Sequence, residues 1–147
     1  TEAFYLTALR EIEAFLDDNP RTVGLPQIAQ EVIAGFNLQQ IARQRRANWQ
    51  RLDESIGERL ETLERDLAPG VVPLGYVVKL KDRDKVRSKL AEQRIFCPVH
   101  WHLPAEVDPN RFPEAADLAR TCLTLPIDQR YGADDMTRLA DAVISAN

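Results

Sequence analysis

No run of apolar residues in the chain approaches the roughly 20 that a helix needs to cross a bilayer, and no basic segment followed by an apolar stretch opens it. A membrane-spanning helix is excluded on that count, and a soluble, cytoplasmic protein is expected. An excess of positive charge is also missing. Lys and Arg number 19 against 23 Asp and Glu, a net charge of -4, so the chain as a whole does not attract nucleic acid or an anionic membrane surface. There are two cysteines, Cys97 and Cys122, too few for a disulfide scaffold; they fall in different predicted elements and are expected to be free thiols. Also lacking are a G-x-S-x-G motif, a glycine-rich phosphate cradle, paired metal-binding carboxylates, internal repeats and low-complexity tracts. By itself the chain does not read as catalytic.

What it does have is enough apolar residue content, 44% of 147 residues, to build a core as one compact domain. It begins at Thr1 already inside an amphipathic pattern and is read as a piece cut from something longer. Residues 2–17 carry Phe4, Ala8, Leu9, Ile12, Phe15 and Leu16 at helical steps, ended by Pro20; Pro26 opens a short helix with Ile28, Val32, Ile33 and Phe36. From Leu38 to Leu67, Ile41, Trp49, Leu52, Ile56, Leu60, Leu63 and Leu67 recur every three or four residues. This predicts a single helix about 45 Å long, with Asn37 as its cap, Gly57 as a weak point and Pro69-Gly70 as its stop. Trp49, Leu52, Ile56, Leu60 and Leu63 are expected to be buried.

After residue 70 the period changes. "LGYVVKL" (74–80), "IFCPVHW" (95–101) and "LTLPI" (123–127) read as strands, the second interrupted by Pro98 and so an edge or bulged strand. Helices are predicted from the Asp82 cap to Gln93, from Pro113 to about Cys122, and from Ala133 to the end. The order α-α-α-β-α-β-α-β-α gives an α/β (α+β) class: a small three-stranded sheet covered by helices.

Three stretches carry the chemistry. "RIFCPVHWHLP" (94–104) gathers Cys97, Trp101 and the chain's only histidines, His100 and His102. In an extended segment Cys97, Val99 and Trp101 face one way and the histidines the other. This argues against a Cys/His nucleophilic pair, and two histidines fall short of a zinc set. Two readings stay open: a core cysteine and tryptophan beside histidines in ordinary polar contacts, or histidines that donate to an anionic ligand held elsewhere. "RQRR" (43–46) places cations where the helix dipole disfavours them, as a solvated face or one that pairs with acidic residues of an adjacent domain or subunit. "LPIDQRYGADDM" (125–136) sets Asp128, Arg130 and Tyr131 between a strand end and a helix start, as a functional loop or a structural lock.

Taken in order, "IARQRRANWQRL", "LGYVVKLKDRDKVRSKLAEQRIFCPVHWHLP" and "FPEAADLARTCLTLPIDQRYGADDMTRLADAV" resemble the C-terminal part of the DegT/DnrJ/StrS aminotransferases. These are pyridoxal-phosphate enzymes of fold type I, most of which act on nucleotide-linked keto-sugars. The resemblance implies that residues 38–147 are the small C-terminal domain and residues 1–37 a helical segment leading to a large domain that is not here. That large domain would supply the cofactor lysine, the acidic partner of the pyridine nitrogen and the phosphate site. The four lysines, Lys79, Lys81, Lys85 and Lys89, lie in the small-domain part, and none matches the Schiff-base position.

The implied whole protein is a cytoplasmic homodimer that takes a nucleotide-sugar and pyridoxal phosphate. This chain would be inactive alone, without covalent cofactor, nucleic-acid partner or membrane association. It would contribute a pocket wall in which His100 and Trp101, and less directly His102, face the substrate. A module that kept this domain as an independent, non-catalytic interaction or ligand-binding unit is the competing reading.

Overall fold

The computed structural model describes residues 2–20, 24–100 and 102–147, apart from the side chains of Glu2, Ala3, Tyr5 and Leu6. It comprises two compact units, Thr1–Phe36 and Asn37–Asn147. The first holds helices α1 (Glu2–Asp18) and α2 (Gln27–Ala34). Asn19 ends α1 by returning both its backbone and side-chain amides to the carbonyl of Phe15. The apolar stripes predicted from the spacing are present but unburied: Phe15 is 64% and Ile28 72% exposed.

In the second unit α3 spans Leu38–Ile56, with the Asn37 side chain accepting from the Gln40 amide at 3.0 Å. Helix α3 buries Trp49, Leu52 and Ile56 as the stripe requires, each worth about 1.5–3 kcal/mol. It stops well short of Leu67, and the reason lies at Gly57. A Cβ there would sit 2.6 Å from the Asp53 carbonyl oxygen and 2.8 Å from Arg65 Nη2. The missing side chain admits the Arg65 guanidinium, which donates to the Gly57 carbonyl at 2.6 Å and satisfies it from outside the helix. The chain then turns and residues Glu61–Thr62 form a short strand, β1. Leu60 and Leu67 still pack against the core, but Leu63 is 53% exposed, contrary to the expectation from the stripe.

Strands β2 (Gly75–Lys79) and β3 (Cys122–Pro126) complete a three-stranded antiparallel sheet in the order β1-β2-β3, with Thr62 opposite Val78 and Tyr76 opposite Leu125. Helices α4 (Arg83–Glu92), α5 (Pro113–Thr121) and α6 (Ala133–Ala146) complete the unit; α4 starts at Asp82, although that side chain makes no capping bond. The α/β class with three strands and helices therefore holds, with six helices among the described residues.

Tyr76, Val78, Leu123 and Leu125 are essentially inaccessible, in one core with Trp49, Leu52 and Ile56 of α3, Val86 and Leu90 of α4, and Met136, Leu139 and Val143 of α6. The rings of Trp49 and Tyr76 lie 5.3 Å apart and tilted, and the Tyr76 hydroxyl donates to Asp53 Oδ1 at 2.8 Å. Burial, with that carboxylate's help, holds the phenol well above its ordinary pKa.

The segment 95–100, expected to be a strand, is not one. After α4 the chain closes with a left-handed residue, Arg94 (φ 60°), while the Ile95 amide reaches back to the Leu90 carbonyl at 2.9 Å. It then runs along β3, where the Thr124 amide donates to the Pro98 carbonyl at 3.2 Å. Pro98 has no amide to return, so a ladder cannot propagate. The strand pairing on the other side of β2 comes instead from residues 61–62, inside the stretch expected to be helical.

Candidate functional site

The arginine-rich turn of α3 faces inward to its own unit. Arg45 donates to the carbonyls of Pro73 (2.9 Å) and Leu74 (2.5 Å), and Arg46 to those of Ala68 (3.0 Å) and Val71. These two cations therefore hold the 67–74 loop through its backbone. Arg45 and Arg46 are thus engaged, through charge-assisted hydrogen bonds, by loop carbonyls of their own unit. One turn further on, Asn48 is buried and its Nδ2 faces the carbonyls of Ile127, Asp128 and Tyr131 at 3.0–3.2 Å. The loop it holds is locked again from within: Arg130 grips both Asp128 oxygens, at 2.9 and 2.8 Å. These hydrogen bonds keep the Asp128 carboxyl below its ordinary pKa. Asp128 and Arg130 thus act as a structural lock.

The 67–74 loop borders a mostly apolar groove of about 700 Å³ on the sheet. Gly75 and Val77 of β2 and Thr124 of β3 lie along its floor; Leu118 and Ala119 of α5, Leu63, Leu67 and Leu74 line its sides. Gly75 is required, since a Cβ there would overlap the Thr124 methyl. Both predicted histidines reach this groove, while Tyr131 lines a separate hollow of about 130 Å³ with Arg94 and Met136. His100 Nδ1 lies 3.0 Å from the Thr124 hydroxyl, and His102 is exposed. Trp101, the other expected substrate-facing residue, lies outside the described residues. Thr124 is a site residue that sequence reading missed. Its signal was "CLTLPI", a strand without polar alternation, which implies that both faces are covered.

The titratable groups nearby set limits on chemistry. Cys97 is buried, which pushes its thiol up to about 11, and burial raises Cys122 as well, so neither is a ready nucleophile. No lysine lines the groove. Lys79 is held by Glu61 at 2.7 Å and Asp117 at 3.5 Å; the Glu61 hydrogen bond raises its pKa further. Lys89 donates to the Ala146 carbonyl at 2.7 Å. A Schiff-base lysine must react as the neutral amine, so Lys79 and Lys89, tied to carboxylates and a carbonyl, do not fit that role. Among the described residues no cluster of three or more His, Cys, Asp and Glu could hold a metal, and no helix is long and apolar enough to cross a membrane.

These features define a small α/β unit with an apolar groove that both histidines reach. No protein-family model and no curated protein matches the chain. Solved structures do. A DegT DnrJ EryC1 StrS aminotransferase from Brucella abortus aligns with a TM-score of 0.64 at 16% identity, over 80% of this chain and 33% of its own. The aminotransferase TlmJ from Streptoalloteichus hindustanus gives 0.64 at 21%, over 74% and 32%. The sugar aminotransferase CalS13 from Micromonospora echinospora gives 0.63 at 15%, over 76% and 32%. At such identities the likeness is one of fold, and the chain spans about a third of the length of the structures it matches.

Proposed function

We propose that the chain is the C-terminal small domain of a pyridoxal-phosphate-dependent aminotransferase of the DegT/DnrJ/StrS type, acting on a nucleotide-linked keto-sugar. The observation that carries this reading is the fold match to several such aminotransferases over a third of their length, in a chain whose ordered motifs resemble the same family. The cofactor lysine then belongs to the rest of the protein. That assignment is supported by Lys79 and Lys89, which are engaged in bonds that oppose amine nucleophilicity. This domain contributes a pocket wall. His100, set beside Thr124, donates to a phosphate or hydroxyl of the substrate, Trp101 offers a flat apolar face, and His102 stands next to them. The unburied apolar faces of α1 and α2 favour a larger assembly, a cytoplasmic homodimer in this reading.

The test begins with the reading frame upstream of Thr1, which should encode on the order of 200–250 residues of cofactor-binding domain, the size of a separate large domain. In that longer protein His100→Ala should raise KM or lower kcat for the sugar substrate while cofactor absorbance and melting temperature stay put. A stop codon just upstream would favour the independent module. Unchanged kinetics with a lowered melting temperature would make His100 structural.

A further inference from the structure

His100 is exposed, and an exposed imidazole turns about two side-chain torsions unless hydrogen bonds hold it. The segment that carries it is fixed from β3. The Thr124 amide donates to the Pro98 carbonyl at 3.2 Å, two residues before His100, and the half-buried Val99 between them packs against the core. The same threonine reaches the ring, with its Oγ1 3.0 Å from His100 Nδ1. Thr124 is itself buried, at 8% exposed. A β-branched side chain has few χ1 states, and turning one by about 120° moves its methyl and hydroxyl groups into each other's places. In Thr124 the place of the methyl is set by Gly75. A Cβ added at Gly75 would overlap that methyl, which therefore occupies the space a side chain would take on the neighbouring strand. With the methyl seated there, the hydroxyl is directed to His100.

We infer that Thr124 is a positioning residue: its hydroxyl fixes the orientation of the His100 imidazole, and Gly75 fixes the rotamer of Thr124. The inference rests on the reading of His100 as a substrate-facing donor and adds what aims it. A hydroxyl suits the task because it accepts from Nδ1 when that nitrogen carries a proton and donates to it when it does not, so the ring keeps one orientation in either state. Valine in the same place fills the same space with no partner to offer. Serine keeps the hydroxyl and gives up the methyl that Gly75 seats.

Nuclear magnetic resonance of the 147-residue chain tests the positioning directly. Three-bond couplings about the His100 Cα–Cβ bond should show one rotamer in the wild-type chain, averaging over several in Thr124→Val, and a return toward one in Thr124→Ser. Gly75→Ala should cause the same averaging by displacing the methyl, and adding Thr124→Ser, which removes the methyl, should reverse it. A single His100 rotamer in Thr124→Val would overturn the inference; if Gly75→Ala does not fold, the valine and serine variants decide alone. In the protein joined to its upstream frame, Thr124→Val should lower kcat/KM for the sugar substrate roughly two- to tenfold, the range of one hydrogen bond, and should add nothing to the loss caused by His100→Ala. Full activity of the valine variant, where His100→Ala is impaired, would also overturn the inference. A silent His100→Ala with the rotamer effect intact would instead refute the substrate role of His100 and uphold the positioning.

Discussion

Substitution of Asn48 probes a buried tether in the unit. The residue is 2% exposed, and its Nδ2 lies 3.0 Å from the carbonyl oxygens of Asp128 and Tyr131 and 3.2 Å from that of Ile127. Gln44 donates to its Oδ1 at 3.0 Å. Three carbonyls converging on one atom require a donor there, and an amide has two N–H bonds to give. Each such bond contributes roughly 0.5–1.5 kcal/mol net, and a buried acceptor left without a donor costs about 1–3 kcal/mol. Asn48→Ala should therefore destabilise by about 3 kcal/mol, a fall in Tm of roughly 10 °C or more for a domain of this size. Asn48→Asp keeps the shape but puts an acceptor, charged at neutral pH, against three oxygens. It should cost more than the alanine, about 3–5 kcal/mol, as an uncompensated buried charge does. The new carboxyl would be protonated more readily in the folded than in the unfolded chain. Its folded pKa is then the raised one, so stability is greatest below the ordinary carboxylate value and is lost as pH rises from there through the raised folded value. Urea unfolding followed by circular dichroism at neutral and mildly acidic pH would measure both effects. An Asn48→Asp protein as stable as wild type, or one less stable at acidic pH than the alanine variant by the same margin as at neutral pH, would refute the donor argument.

Gly57→Ala separates packing from propensity: helix propensity alone favours alanine by up to about 1 kcal/mol, whereas the contacts with Asp53 and Arg65 predict a loss of about 1–3 kcal/mol. A raised urea midpoint would show that the close approach does not matter. Asp128, depressed by the Arg130 bonds, should lend a small stability increment that is present above the ordinary carboxylate range and lost as pH falls through the lower folded value. Arg130→Gln should remove that acid-side slope, and an identical pH profile would count against the lock. Cys97 and Cys122 should resist a thiol-reactive disulfide reagent at pH 8 until urea unfolds the chain; fast labelling of the native protein would contradict their burial.

Elements whose apolar residues repeat over a continuous stretch were legible, and elements that depend on a single contact at a distance were not. The stripe of α6 and the Pro113 start of α5 are local signals, and they fall where the spacing puts them. The long helix failed because Leu60, Leu63 and Leu67 continue the helical period of α3 with no residue that breaks it except Gly57. A glycine at that point reads as a weak spot in a helix. Its actual role, admitting a guanidinium that caps the chain from Arg65, depends on a tertiary approach that periodicity does not encode. The strand expected at 95–101 failed over its described residues, 95–100, for the complementary reason. Its β-branched and aromatic composition is that of a strand, but pairing needs donors on the facing edge, and Pro98 removes one where Thr124 offers its own.

At the site, the side chains were easier to find than the surface they belong to. His100 and His102 stand out in the sequence because the chain has only these two, yet alternation along one segment says only which way they point relative to Cys97. That they lie in an apolar groove follows from residues of β2, β3, α5 and the 63–74 loop, most of them apolar and distant from the histidines in sequence. The arginines singled out in the sequence help to build that surface, since their guanidinium groups donate to the loop carbonyls of residues 67–74. The same logic ties the motifs into one device. Arg45 and Arg46 hold the groove wall, Asn48 one turn later holds the loop that precedes α6, and the sheet between them presents Thr124 to His100. A substitution at Arg45 or Arg46 would therefore act on the groove through the backbone of the 67–74 loop, without touching either imidazole.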